Sequence, residues 1–165
     1  MFAARLSTSL RNTLPKQARV ARRGYADVAD DMLKLSFVLP HQSLFSSASV
    51  TQVNIPAATG DMGILANHVA SVEALRPGVV EVLESSGGPG KKWFVSAGFA
   101  TVHGNNTLTI NAVEAYSLDK FSSENVRSAL ADANKVLSSS ASDAEKAEAR
   151  IEVDVFEGLQ AALAK

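Results

Sequence analysis

Between Leu33 and Tyr116 every apolar run is cut short by a turn signal, and no helical periodicity intervenes. That spacing constrains the fold more than any other feature of the chain. Leu33, Leu35, Phe37 and Leu39 alternate with Lys34, Ser36 and Val38, the period of a strand with one dominant buried face. Pro40-His41-Gln42 turns the chain, and Val53 and Ile55 alternate with Gln52 and Asn54 in a second strand that Pro56 should stop. Gly60-Asp61 reads as a turn, and Gly63 as a glycine that either takes a positive φ or admits a neighbouring backbone. Ile64-Leu65 then reads as a small buried strand, with Asn67-His68 closing the segment and Arg76-Pro77-Gly78 marking the next turn.

The valine-rich Gly78–Leu83 and the stretch Lys91–Ala97 are two further strands around the loop Ser85–Gly90. Phe99–His103 and Thr107–Ala112 form a hairpin about Gly104-Asn105-Asn106, with Leu108, Ile110 and Ala112 on one face. Many short strands without helices between them favour an antiparallel β-sandwich or barrel. The pattern changes after residue 117. From Ser122 onward alanine and charged residues dominate and glycine is nearly absent.

Val126, Ala129, Leu130, Ala133, Val136 and Leu137 follow helical spacing after a serine cap at Ser122 or Ser123. Ser142-Asp143-Ala144-Glu145 is a capping-box sequence opening a second helix. Its expected buried stripe is Ala144, Ala147, Ile151, Val155, Leu159 and Ala162, with Leu163 beside it. Gly158 is the weak point of that helix, costing about 1 kcal/mol relative to alanine. Two such helices joined by a serine turn should pair antiparallel. The expected fold is therefore an N-terminal antiparallel β-sandwich over 33–117 followed by a two-helix antiparallel hairpin over 118–165.

The 16 basic and 17 acidic residues are unevenly placed. Arg5, Arg11, Lys16, Arg19, Arg22 and Arg23 lie in residues 1–25, which hold no acid. Phe2, Leu6, Leu10 and Leu14 add an apolar helical stripe there. This is the composition of a mitochondrial transit peptide. Arg23-Gly24-Tyr25-Ala26 resembles a processing site, with cleavage expected between Tyr25 and Ala26 and a linker over 26–32. Without the 6 basic residues of the leader, 10 remain against 17 acids, a body of net charge −7. Such a body repels nucleic-acid phosphates, so no nucleic-acid partner is expected. No apolar run approaches the ~18 residues that cross a bilayer, so the chain is expected not to span one itself.

The sequence carries no complete catalytic or ligand-binding motif. Cysteine is absent, which removes disulfides and thiolate chemistry. Gly87-Gly88-Pro89-Gly90-Lys91-Lys92 fails as a phosphate loop, because Lys92 takes the Ser/Thr position and a strand follows where a helix is needed. His41, His68 and His103 have no partners at metal-ligand spacing. A triad of His68, Asp61 and a serine lacks a nucleophile-elbow motif, and Ser96 lies in a plain strand pattern. No catalytic, cofactor-binding or metal-binding residue is assigned.

Three motifs in order carry a resemblance: Gly60-Asp61-Met62-Gly63-Ile64-Leu65-Ala66-Asn67-His68, Leu75-Arg76-Pro77-Gly78, and Phe94-Val95-Ser96-Ala97-Gly98-Phe99. Together they resemble the small central-stalk subunit of F-type ATP synthases, named delta in mitochondria and epsilon in bacteria. The resemblance implies a flattened β-sandwich and a non-catalytic rotor subunit of the proton-driven enzyme on the matrix side of the inner mitochondrial membrane. Its implied partners are the gamma subunit, the c-ring and a very small mitochondrial epsilon subunit. By the same resemblance Gly60, Asp61, Met62 and Gly63 would meet the c-ring, and Asn67 and His68 would face gamma. Ala66 and Ser71 stand where the family pattern favours proline. The alternative is a nucleotide-sensing inhibitor of the bacterial epsilon type. Its ATP-binding sequence is incomplete here, in Leu118-Asp119-Lys120-Phe121 and Asn125-Val126-Arg127-Ser128.

Overall fold

The computed structural model describes residues 32–164. The expected leader, its cleavage between Tyr25 and Ala26 and the linker up to residue 31 lie outside them. Ten strands come first: β1 Leu33–Leu39, β2 Gln42–Val50, β3 Gln52–Ala57, β4 Gly60–Leu65, β5 Ser71–Leu75, β6 Gly78–Leu83, β7 Lys91–Val95, β8 Gly98–His103, β9 Thr107–Ala112 and β10 Ala115–Ser117. They form one folded-over sheet in the order β10-β7-β6-β3-β5-β8-β9-β1-β2, with β4 paired to β3. All pairings are antiparallel except β1 with β9, which is parallel.

Alternation decides what lies inside. Leu33, Leu35, Phe37 and Leu39 of β1 are all buried, as are Val80 and Val82 of β6 and Leu108, Ile110 and Ala112 of β9. The two layers close on an aromatic seam. Trp93 of β7 meets Phe37 of β1 edge-on at 6.2 Å and Phe45 of β2 at 5.2 Å. This is the β-sandwich expected from the spacing.

Several local expectations are corrected. Pro56 does not stop β3, which runs on to Ala57. Proline lacks a donor but keeps its carbonyl, and here that carbonyl accepts the Arg76 N–H at 3.0 Å. Gly60-Asp61 is not a turn. Gly60 to Gly63 form the first part of β4, paired with Asn54 to Ala57, and the turn is Ala58-Thr59. Of the Ile64-Leu65 pair only Ile64 is buried; Leu65 points outward. β2, β5 and β10 add strands to the expected set. β2 is rich in serine, shifts register against β1 and holds Ser47 at φ 49°, so it shows no clean alternation.

A short 3-10 turn, Leu118–Lys120, leads to α1 Ser123–Ser138 and α2 Asp143–Leu163. Ser122 caps α1, and Ser142 with Glu145 closes the expected capping box on α2: the Glu145 N–H donates to Ser142 Oγ and the Ser142 N–H to Glu145 Oε2. Ala133 and Ala149 are both buried, and their small side chains let the helices approach closely. A second apolar cluster joins the helices to the outer face of β6 and β7. It holds Phe94, Val126 and Leu159, with Val79, Phe121, Val155 and Phe156 against them. The expected α2 stripe is correct only in its second half. Val155, Leu159 and Ala162 belong to this cluster, whereas Ala144 and Ala147 are exposed and Ile151 is 66% exposed. The first half of α2 is covered as well, but on another face: Ala149 is buried, whereas Ile151, two residues on and about 200° around the helix, points outward.

Candidate functional site

The six-residue strand β4 separates two groups of candidate residues by roughly 15–20 Å. At one end lie Gly60 to Gly63 beside the Ala58-Thr59 turn; at the other lie Asn67 and His68.

The first end joins two chain reversals, the β3–β4 turn and the β5–β6 turn. The Ala58 N–H donates to the Ala74 carbonyl at 2.8 Å, tying the β3–β4 turn to β5. Arg76 Nη2 reaches Asp61 Oδ1 at 2.5 Å, an ion pair whose side chains are 46% and 76% exposed. Gly60 sits at φ 140° with open space around it, so it is the backbone conformation, not crowding, that favours glycine. Gly63 meets neither expectation: it has no positive φ, and what it makes room for is side chains rather than backbone, since a Cβ there would lie 3.2 Å from both Asn54 Oδ1 and Gln52 Nε2. Those two groups begin a polar ladder, with Gln52 Nε2 donating to Asn54 Oδ1 at 2.6 Å and Asn54 Nδ2 donating to Glu81 Oε2 at 2.9 Å. Met62 points the opposite way and packs half-buried against the sandwich core. The solvent-facing members of this end are therefore Gly60, Asp61 and Gly63, with Ala58 and Thr59.

Beside this end a cleft of about 440 Å³ opens between the sandwich and α2, lined among others by Asp61, Arg76, Pro77, Lys92, Gly158 and Ala161. Arg76 and Gly158 are both structurally placed here, yet neither was assigned to the site from sequence. Arg76 is 15 residues from Asp61 and no local spacing links them.

The second end is built on left-handed backbone. Asn67 has φ 64° and Asn106 φ 57°, a conformation asparagine tolerates. The Asn67 N–H donates to Asn106 Oδ1 at 2.6 Å, fastening the β4–β5 loop to the β8–β9 turn. Nδ1 of His68 lies 2.8 Å from the Val69 carbonyl, and Val69 is itself 74% exposed. Nearby, β5, β8, β9 and β1 present an outer face without acidic side chains. Val72 pairs with Thr101, Ala74 with Phe99 and Phe99 with Asn111, and both Val72 and Phe99 are exposed.

None of this geometry assembles a reaction centre. Gly87 to Gly90 lie in the loop between β6 and β7, and Lys91 and Lys92 open β7, Lys91 held by Glu84 at 2.7 Å and Lys92 near Glu81 at 3.8 Å. Among the described residues, no group of three or more His, Asp or Glu side chains is placed to hold a metal ion. Asp119 lies in the 3-10 turn, where its carboxylate accepts from the Ser117 hydroxyl, and Arg127 is exposed on α1. The arrangement offers binding surfaces on a rigid body.

The chain is similar to known proteins in both sequence and fold. Residues 32–117 match the beta-sandwich domain of the ATP synthase delta/epsilon chain, and residues 121–161 match the C-terminal domain of the fungal epsilon subunit of F1F0-ATP synthase. The mitochondrial ATP synthase subunit delta of Agaricus bisporus is 57% identical over 165 residues, covering 100% of both chains. That of Kluyveromyces lactis is 58% identical over 157 residues, 94% of this chain and 97% of the relative. A chain in the cryo-EM structure of the Euglena gracilis mitochondrial ATP synthase (OSCP/F1/c-ring) superposes with a TM-score of 0.77 at 28% identity, covering 94% of this chain and 99% of that one.

Proposed function

This chain belongs to the ATP synthase delta/epsilon family, and on that premise we propose how it serves the central stalk. It is a non-catalytic subunit of the mitochondrial ATP synthase, assembled with other subunits of that enzyme. Its work is mechanical: it carries torque between the membrane rotor and the catalytic head. The observation that supports this reading is the placing of two exposed groups at opposite ends of one densely packed sandwich. Close-packed interiors have low compressibility and transmit strain.

In this reading the end bearing Gly60, Asp61 and Gly63 seats on the loops of the c-ring, with Met62 bracing β4 from inside. The end bearing Asn67 and His68, continued by the face of Val72 and Phe99, lies against gamma. The small mitochondrial epsilon subunit is a third partner. The protein is mitochondrial, and its place is peripheral, on the matrix side of the inner membrane. We further propose that residues 33–117 act as the seating domain and residues 118–165 as a docked helical hairpin. Purifying the tagged chain from mitochondria in mild detergent tests the assignment. Gamma and the c subunits should accompany it in fixed proportion, and N-terminal sequencing should begin at or near Ala26. A chain recovered without either subunit would refute the proposal.

A further inference from the structure

The turn between β5 and β6 touches both the exposed end of β4 and the helical hairpin. Arg76 spans it. Its Nη2 is paired with Asp61 Oδ1 at 2.5 Å, while its Nη1 lies 3.5 Å from the Pro77 carbonyl oxygen. That same carbonyl faces α2: a Cβ at Gly158 would sit 3.2 Å from it and 3.6 Å from the Pro77 Cβ. On its far side the turn is wedged as tightly, since a Cβ at Gly78 would come within 2.7 Å of the Pro56 Cβ. Glycine is among the poorest helix formers, yet Gly158 lies well inside α2. Its small size is explained by the contact it permits.

We propose that Asp61, Arg76, Pro77 and Gly158 form a mechanical link by which the state of the exposed β4 end controls how firmly α2 is docked. A cation on a partner that captures the Asp61 carboxylate frees the guanidinium and removes one support from the Pro77 carbonyl. The seat of α2 then loosens. Without such a partner the link stays closed and the hairpin lies against β6 and β7. The link is internal to this chain and holds whichever partner meets Asp61.

Hydrogen exchange of the full chain tests it, with amides of β1 and β9 reporting on the sandwich and those of residues 153–163 on the docked helix. Gly158→Leu raises helix propensity, so a helix judged alone should exchange more slowly. The link requires the opposite: exchange over 153–163 about tenfold faster, with β1 and β9 unchanged. Asp61→Asn should quicken the same segment about two- to threefold, in keeping with an exposed ion pair. In the double variant the Asp61→Asn effect should vanish, because the contact it acts through is already lost. Slower or unchanged exchange in Gly158→Leu would overturn the proposal. So would an Asp61→Asn variant that leaves 153–163 untouched, or whose effect adds in full to that of Gly158→Leu. Should Gly158→Leu also loosen β1 and β9, the Asp61→Asn arm decides alone.

Discussion

Trp93 stands edge-on to Phe37 with ring centroids 6.2 Å apart, joining a strand of one layer to a strand of the other. Phe37 is fully buried, and the tryptophan is the chain's single one. Phe37→Ala should therefore cost about 3–5 kcal/mol through lost burial and a residual cavity. Denaturant titration followed by Trp93 fluorescence measures this directly. Edge-to-face pairs add only about 0.5–1.5 kcal/mol beyond burial, so most of the loss comes from the lost burial and the cavity together.

The two halves of the α2 stripe should respond differently to truncation. Leu159 is buried under the sandwich, and Leu159→Ala should cost about 2–5 kcal/mol. Ile151 is 66% exposed, and Ile151→Ala should stay within about 0.5 kcal/mol in the isolated chain. Equal losses at both positions would mean that the face of α2 bearing Ile151 is covered in solution.

That contrast shows what could be read from the residues and what could not. The alternation of Leu33, Leu35, Phe37 and Leu39 and the Ser142–Glu145 cap were legible, because strand period and capping are local properties. The stripe through Ile151 was legible as a face, but periodicity does not say which face the first helix covers, and in this half it covers Ala149 instead. Gly60-Asp61 has the look of a turn because glycine marks several different constraints. Gly60 takes an unusual φ at a strand end, whereas Gly63 makes room for Gln52 and Asn54. The pairing of Asp61 with Arg76 depends on β3 and β5 meeting at Ala57 and Leu75. No spacing in the chain encodes it. Serine-rich β2 stayed hidden because its polar residues and bulges erase the two-residue period.

The cap on α2 should make its helicity depend on pH. Hydrogen bonds from the Ser142 side chain and backbone hold the Glu145 carboxyl below its usual range. A folded pKa below the unfolded one gives stability that is fully present above the unfolded value and lost as pH falls through the folded value. Helix content measured by circular dichroism should therefore fall on acidification from the ordinary glutamate range downward. Glu145→Gln should flatten that part of the titration.

Nucleotide should have little hold on this chain. Asp119 is engaged by Ser117 and the ATP-binding sequence of the bacterial relatives is incomplete. Calorimetry should show ATP binding no tighter than millimolar. Micromolar binding lost in Arg127→Ala would instead favour the regulatory role.

Reversing the charge at the exposed end should impair coupling more than folding. Asp61→Lys sets a cation against Arg76, but at a site this exposed the lost pair is worth no more than about 1 kcal/mol. The isolated variant should melt close to wild type. Assembled enzyme carrying it should hydrolyse ATP while pumping fewer protons, and should lose its c-ring more readily in detergent.

The most direct measurement uses the absence of cysteine, which makes a new thiol unique in the chain. Asp61→Cys, oxidised in assembled enzyme carrying single cysteines in the c-subunit loops, tests whether this end seats on the ring. The expected result is a crosslink to c with ATP-driven proton pumping retained, since two parts of one rotor can be joined without stopping it. No crosslink to c, or a crosslink that halts turnover, would contradict the placing of this subunit between ring and stalk.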